Sequence, residues 1–164
     1  MLTIGINHIA VISKDLDRLQ AFYREVFEAE VIMDGTEFPD GSGPRVSLIR
    51  VGPYAELNAF EIDVNTEADR QIPMFGRGRL DHFALQAGSI EDFEEIRRRL
   101  RDRGCADDFV TDFGHVLSLF FTDPDGLEGE VCVDNPDHQP GVFKPPGTRA
   151  ERYPAKDVTA DGQA

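Results

Sequence analysis

Positive charge is the scarcest ionic resource of this chain: 17 lysine and arginine residues stand against 31 acids, for a net charge of −14. A surface of that sign repels a phosphate backbone, which excludes nucleic acid as the main partner. Long apolar runs are also missing, and nothing approaches the roughly 18 residues that a membrane span needs. The start, Met1-Leu2-Thr3-Ile4-Gly5, carries neither a basic segment nor a long apolar one. A cytoplasmic protein without a membrane partner is expected. Cysteine is nearly absent: Cys105 and Cys132 lack C-x-x-C spacing and read as reduced thiols rather than a disulfide framework.

What the chain does have is a sentence said twice. Ile6-Asn7-His8-Ile9-Ala10-Val11 recurs as Leu80-Asp81-His82-Phe83-Ala84-Leu85, a shift of 74 from His8 to His82. In each copy an aliphatic residue, a short polar one, a histidine, a large apolar residue, alanine and another aliphatic follow in order. Alternation of apolar with smaller or polar residues is the mark of a half-buried strand, so both histidines fall at one position of a repeated unit. The repeat continues into a helix. Leu16, Leu19, Phe22, Tyr23, Val26 and Phe27 fall at helical spacing behind Asp15, a candidate N-cap. Ser89-Ile90-Glu91-Asp92 resembles a capping box, Phe93, Ile96 and Leu100 continue the second stripe, and Gly104 supplies a stop.

Each helix is followed by three short strand candidates: Glu30 to Met33, Val46 to Val51 and Glu56 to Val64, then Cys105 to Thr111, Val116 to Thr122 and Gly129 to Val133. Each module thus reads βαβββ. The expected class is α+β, with two tandem βαβββ modules forming one curved eight-strand mixed sheet and the helices on its convex face. A chain of 164 residues suits one domain, placed at 1–135, with module one about 3–66, module two about 78–135 and residues 65–78 as connector. From Asn135 onward, Pro136, Pro140, Pro145, Pro146 and Pro154 break both periodicities. Residues 136–164 are expected as an extended tail, docked through Val142, Phe143 and Tyr153. The basic run Arg97-Arg98-Arg99 lies among acids on the second helix and reads as a salt-bridged outer face.

The paired modules, a histidine on the first strand of each, and the closing Asp123-Pro124-Asp125-Gly126-Leu127-Glu128-Gly129-Glu130 resemble the vicinal oxygen chelate superfamily. That superfamily includes glyoxalase I, methylmalonyl-CoA epimerase, extradiol dioxygenases, and fosfomycin and bleomycin resistance proteins. The resemblance implies ligands on the first and last strand of each module. Carried over by position, His8, His82 and Glu130 match, a set suited to one divalent ion such as iron, zinc, nickel or manganese. The fourth position is open among three registers. The family pattern E-L-F-E puts Asn58 in it, the chain's own second half puts Glu61 there, and the plain shift of 74 selects Glu56. Asn58 is preferred, leaving three ligands. Glu56 and Asn58 share strand parity and Glu61 opposes both.

The resemblance implies a metal-dependent enzyme acting on a small oxygen-rich substrate through chelation of adjacent oxygens, by isomerase, lyase or dioxygenase chemistry. Glu130 is a candidate base, and His115 a candidate acid or base close to working pH. Phe120 and Phe121 stand where ring-cleaving relatives place a tyrosine. Arg77 and Arg79 are candidate clamps for an acidic substrate, His138 is expected to be uninvolved, and a homodimer is expected. The rival is a metal-free binding protein of the bleomycin-resistance type that sequesters a drug or metabolite.

Overall fold

The computed structural model describes residues 2–3, 5–66, 80–106, 109–138 and 151–154. The connector, Arg77, Arg79, Val142 and Phe143 fall mostly or wholly outside them. In chain order the elements are β1 (His8–Ser13), α1 (Leu16–Phe27), β2 (Glu30–Thr36), β3 (Arg45–Gly52), β4 (Ala55–Glu61), β5 (Phe83–Gln86), α2 (Ile90–Asp102), β6 (Phe109–Asp112), β7 (Val116–Thr122), β8 (Glu128–Asp134) and β9 (Glu151–Pro154). The order βαβββ occurs twice, and β9 follows it. No helix among the described residues is long and apolar enough to cross a membrane.

Local chemistry sets the helix ends. Asp15 is extended at φ −153° and its carboxylate accepts the Arg18 N–H at 3.0 Å, the N-cap geometry expected. Ser89 does the same for α2, accepting the Asp92 N–H at 3.0 Å while its hydroxyl donates to the Asp92 carboxylate at 2.9 Å. At the other end of α2, Gly104 takes φ +66°, its N–H reaches the Arg101 carbonyl and the Cys105 N–H reaches that of Leu100. That pair of bonds is a Schellman stop, and the left-handed turn is why glycine stands there. The buried stripe Leu16, Leu19, Phe22, Tyr23 and Val26 packs α1 onto β2, β3 and β4. Each such side chain contributes about 1.5–3 kcal/mol when fully buried.

The first half forms a four-stranded sheet in the order β1-β4-β3-β2, with β1 parallel to β4 and the other pairs antiparallel. The second forms a five-stranded sheet in the order β5-β8-β7-β6-β9, again with first strand parallel to last, β5 to β8. The ladders therefore make two sheets where one eight-strand sheet was expected, because each half closes on its own first strand. Part of the tail is accounted for: β9 adds antiparallel to β6, with Tyr153 opposite Val110.

Contacts divide the chain into Met1–His82 with Thr122–Glu128, and Phe83–Phe121 with Gly129–Ala164. The turn between β7 and β8 thus belongs to the first unit. The acids of the D-P-D-G motif explain this. Asp123 is buried, and its Oδ1 accepts the N–H groups of Asp125 and Leu127, each at 2.9 Å. The Tyr23 hydroxyl donates to Asp123 Oδ2 at 3.4 Å. Asp125 accepts the Ser13 hydroxyl at 2.6 Å and the Arg18 guanidinium at 2.6 Å. The motif is a clasp on the β1–α1 corner. Burial pushes the Asp123 carboxyl up to about 6 and the Tyr23 phenol well above its ordinary range.

Two stability predictions follow from these contacts. A carboxyl at about 6 when folded and 3.8 when unfolded stabilises fully below the lower value and loses that contribution as pH rises through the upper one. The loss is up to about 3 kcal/mol at 1.36 kcal/mol per unit. Asp123→Asn keeps an amide oxygen for the two N–H groups and removes the titration. Its urea-unfolding free energy should lack this slope between about pH 4 and pH 7; parallel curves for the two proteins would contradict the account. In the second unit, a Cβ added at Gly129 would stand 2.3 Å from Cζ of the buried Phe121 ring. Gly129→Ala should cost about 2 kcal/mol or more by overpacking, read as a lowered urea midpoint, and an unchanged midpoint would count against that packing.

Candidate functional site

The parallel ladder of the first half decides which side chains share a face. His8 lies opposite Glu56, Ala10 opposite Asn58 and Ile12 opposite Phe60. The alternate positions, Leu57 and Ala59 with Ser47 and Ile49 of β3, are buried on the side where α1 packs. Glu61 has the parity of that helix side, and its Oε1 accepts the Leu16 N–H at 2.9 Å, closing the first turn of α1. It is thereby removed from the fourth-ligand slot. Arg45 stands 3.8 Å from Glu61, pairs with Asp17 at 2.7 Å and grips Asp34 through two nitrogens, which holds the Asp34 carboxyl down at about 2. That cluster braces the helix.

Comparison of the two ladders resolves the register that the sequence leaves open. In the second half Ala84 lies opposite Glu130, as Ala10 lies opposite Asn58 in the first. From Ala10 to Ala84 the shift is 74, whereas from Asn58 to Glu130 it is 72. Two fewer residues separate the first and last strands of the second half, so no single shift aligns both strands. Asn58 is the structural counterpart of Glu130. Glu56 shares its face, opposite His8, with the Arg50 guanidinium 3.7 Å away. The Asn58 Oδ1 is buried and has no hydrogen-bond partner among the described residues.

Both histidines are held in the same way. The His8 Nδ1 is 2.8 Å from Oδ1 of Asn7, and the His82 Nδ1 is 2.8 Å from Oδ2 of Asp81. Each partner oxygen is an acceptor, so each Nδ1 carries its proton and a neutral ring keeps its lone pair on Nε2. This is the second contact by which metal-binding imidazoles are oriented. Asn7 and Asp81 were not singled out from sequence, although the short polar residue before each histidine was visible in the repeat.

Glu130 is buried on β8, two positions before Cys132, and its Oε1 accepts the Ser118 hydroxyl. One carboxylate oxygen is thereby fixed, and the Cys132 side chain also hydrogen-bonds this carboxylate. Burial, and next the Glu130 charge, push the Cys132 thiol up to about 12. Ser118 also went unnoticed in the sequence; its signal was the β7 alternation, which sets Ser118 and Phe120 opposite to Leu119 and Phe121. Phe121 is buried, its ring 6.3 Å from that of Phe83.

His115 is exposed on the turn before β7, its carbonyl accepting the Asn135 N–H at 2.9 Å and its ring 6.4 Å from that of His138. Three residues of strand, about 10 Å, separate it from Ser118. Among the described residues no three histidine, cysteine, aspartate or glutamate side chains form a group able to hold an ion. The expected ligands stand instead on two ladders: His8 lies opposite Glu56, two positions from Asn58, and Glu130 lies opposite Ala84, two positions from His82.

The same architecture occurs in solved structures. A glyoxylase/bleomycin resistance protein/dioxygenase domain from Frankia sp. EAN1pec is 21% identical with a TM-score of 0.65, covering 83% of this chain and 96% of that one. A glyoxalase family protein from Enterococcus faecalis is 25% identical with a TM-score of 0.61, covering 80% and 99%. The fosfomycin resistance protein FosX from Listeria monocytogenes, solved with Mn(II) and sulfate, is 22% identical with a TM-score of 0.59, covering 84% and 98%. Residues 5–131 match the profile of one family along both βαβββ halves. With that match on top of the doubled ladder, the chain belongs to the Glyoxalase/Bleomycin resistance protein/Dioxygenase superfamily.

Proposed function

We propose that this protein is a metal-dependent enzyme of the vicinal oxygen chelate type, with His8, His82 and Glu130 holding one divalent ion. It acts on a small oxygen-rich substrate that presents two adjacent oxygens. The observation that carries the proposal is the pair of Nδ1 contacts, to Asn7 and to Asp81, which leave two Nε2 lone pairs at equivalent places in the repeat. The donor set is consistent with it: two neutral imidazoles and a carboxylate suit iron, zinc, nickel or manganese. When bound, the ion would supply Lewis acidity to the substrate oxygens and acidify a neighbouring C–H.

The chain's own groups supply the rest. Ser118 fixes one oxygen of Glu130 and so orients the carboxylate. Glu56, on the same face as His8 and opposite it in the ladder, is the proposed carrier of the substrate proton, with Arg50 beside it. Asp34 and Glu61 are engaged by Arg45 and by the start of α1, and take no part.

Equilibration with Mn(II), Zn(II), Ni(II) and anaerobic Fe(II), followed by dialysis and elemental analysis, tests the proposal. Retention of about one ion per chain by the parent protein is expected, and of less than about 0.1 after His8→Ala, His82→Ala or Glu130→Ala. Ser118→Ala should weaken the ion's affinity by about 10–100-fold, as loss of an orienting partner does. Failure of the parent protein to retain any of the four ions would overturn the proposal and favour a metal-free binder that sequesters its ligand.

A further inference from the structure

The outer edge of β6 is closed by the chain's own last strand. β9 ends the five-stranded sheet and pairs antiparallel along the whole of β6, from Phe109 opposite Pro154 to Asp112 opposite Glu151. Among the described residues the inner ladder, to β7, spans Thr111 and Asp112. The outer ladder is thus the longer of the two. The strand it covers has interior character: Val110 is 3% and Thr111 4% exposed, and Phe109 precedes them. Stripped of β9, this edge would present unpaired N–H and C=O groups along an uncharged Phe-Val-Thr run, the arrangement that recruits another strand.

The tail is tied down where it leaves the body. Asn135, just after β8, donates its N–H to the His115 carbonyl and its side-chain amide to the Gly114 carbonyl, each at 2.9 Å. The His138 ring then lies 6.4 Å from that of His115. The tail therefore departs at the β6–β7 turn, and β9 enters opposite Asp112, at the same turn. Residues 139–150 join these points and reach up to about 40 Å when extended, far more than the span requires. Such a tether costs little to close and gives its strand an effective concentration on the order of 1 mM. A second copy in the micromolar range therefore loses the edge to β9. The ladder stops at Pro154, which has no N–H with which to lengthen it. We infer that the outer edge of β6 is a docking surface for β6 of a second copy, and that β9 is the guard that holds it shut. Two such strands pair antiparallel about a two-fold axis, each offering Phe109–Asp112 to the other. This inference is independent of the metal.

Full-length variants test this. Replacing Arg152→Pro and Tyr153→Pro together removes whichever of these two N–H groups points at β6 and leaves every residue of the body unchanged. In sedimentation velocity between about 5 and 200 µM, where exposed edges associate, the parent's mass should stay constant and the variant's should double. A peptide of residues 149–156 at about 1 mM, the level the tether supplies, should return the variant to the parent's mass. Phe109→Lys in the same background should do likewise, by placing a charge on the edge. Hydrogen exchange read by mass spectrometry should show the amides of residues 109–112 at least about tenfold less protected in the dilute variant than in the parent. A variant that keeps the parent's mass throughout would overturn the inference. So would a doubling that persists with the peptide or with Phe109→Lys, because it would arise elsewhere on the molecule. Protection of 109–112 unchanged by the variant would overturn it as well, since β9 would not be covering the edge. A parent whose own mass doubles over this range would show that β9 does not hold the edge shut.

Discussion

In each half of this chain the first strand lies parallel beside the last, and nearly everything functional depends on that ladder. Parallel pairing fixes register residue by residue, and a slip of one position would turn every side chain to the other face. The ladder puts His8, Ala10, Glu56 and Asn58 together, and sends Leu57, Ala59 and Glu61 to the side that α1 covers. In the second half it pairs Ala84 with Glu130 and carries His82 on the same parity. The apolar side drives folding through burial beneath the helix. The polar side can therefore hold the buried Glu130 carboxylate, and an Asn58 oxygen with no partner among the described residues, at a cost the core offsets.

The D-P-D-G motif illustrates how a sequence signature and a site can part company. It leads into the strand of Glu130, and its own acids serve the fold. Asp123 caps its own turn and meets Tyr23, while Asp125 gathers Ser13 and Arg18 at the β1–α1 corner. The arrangement keeps a half-buried charge cluster beside the strand that carries His8. Its cost is visible in the raised carboxyl of Asp123, for which desolvation outweighs two backbone hydrogen bonds. Asp34 shows the opposite balance: exposed enough to be hydrated and gripped by Arg45, it is held low.

The fold was legible because its signals are local and repeated. Capping residues at Asp15 and Ser89, the stop at Gly104 and the two apolar stripes each report a short-range interaction that the chain carries twice. Register was not legible, because two fewer residues separate the first and last strands of the second half, and strand pairing is a long-range fact. Asn58 was preferred over Glu56 and Glu61 on the family pattern, and the ladder supplies the register that the sequence leaves open. A histidine near a strand start says nothing of direction, and the ring contact of His115, on the β6–β7 turn, with His138 had no signal in the sequence. Asn7, Asp81 and Ser118 escaped notice for a different reason: they act through another side chain, and such partners have no motif of their own.

The central claim is that two imidazoles, set by their neighbours to offer Nε2, bind one ion together with Glu130. Long-range proton–nitrogen NMR correlations on nitrogen-labelled histidine test it most directly. The account predicts the Nδ1-protonated tautomer for both His8 and His82, and a joint shift of both Nε2 resonances on addition of one equivalent of Zn(II), with His115 and His138 unmoved. An Nε2-protonated ring at either position, or a Zn(II) response confined to one of the two, would contradict it.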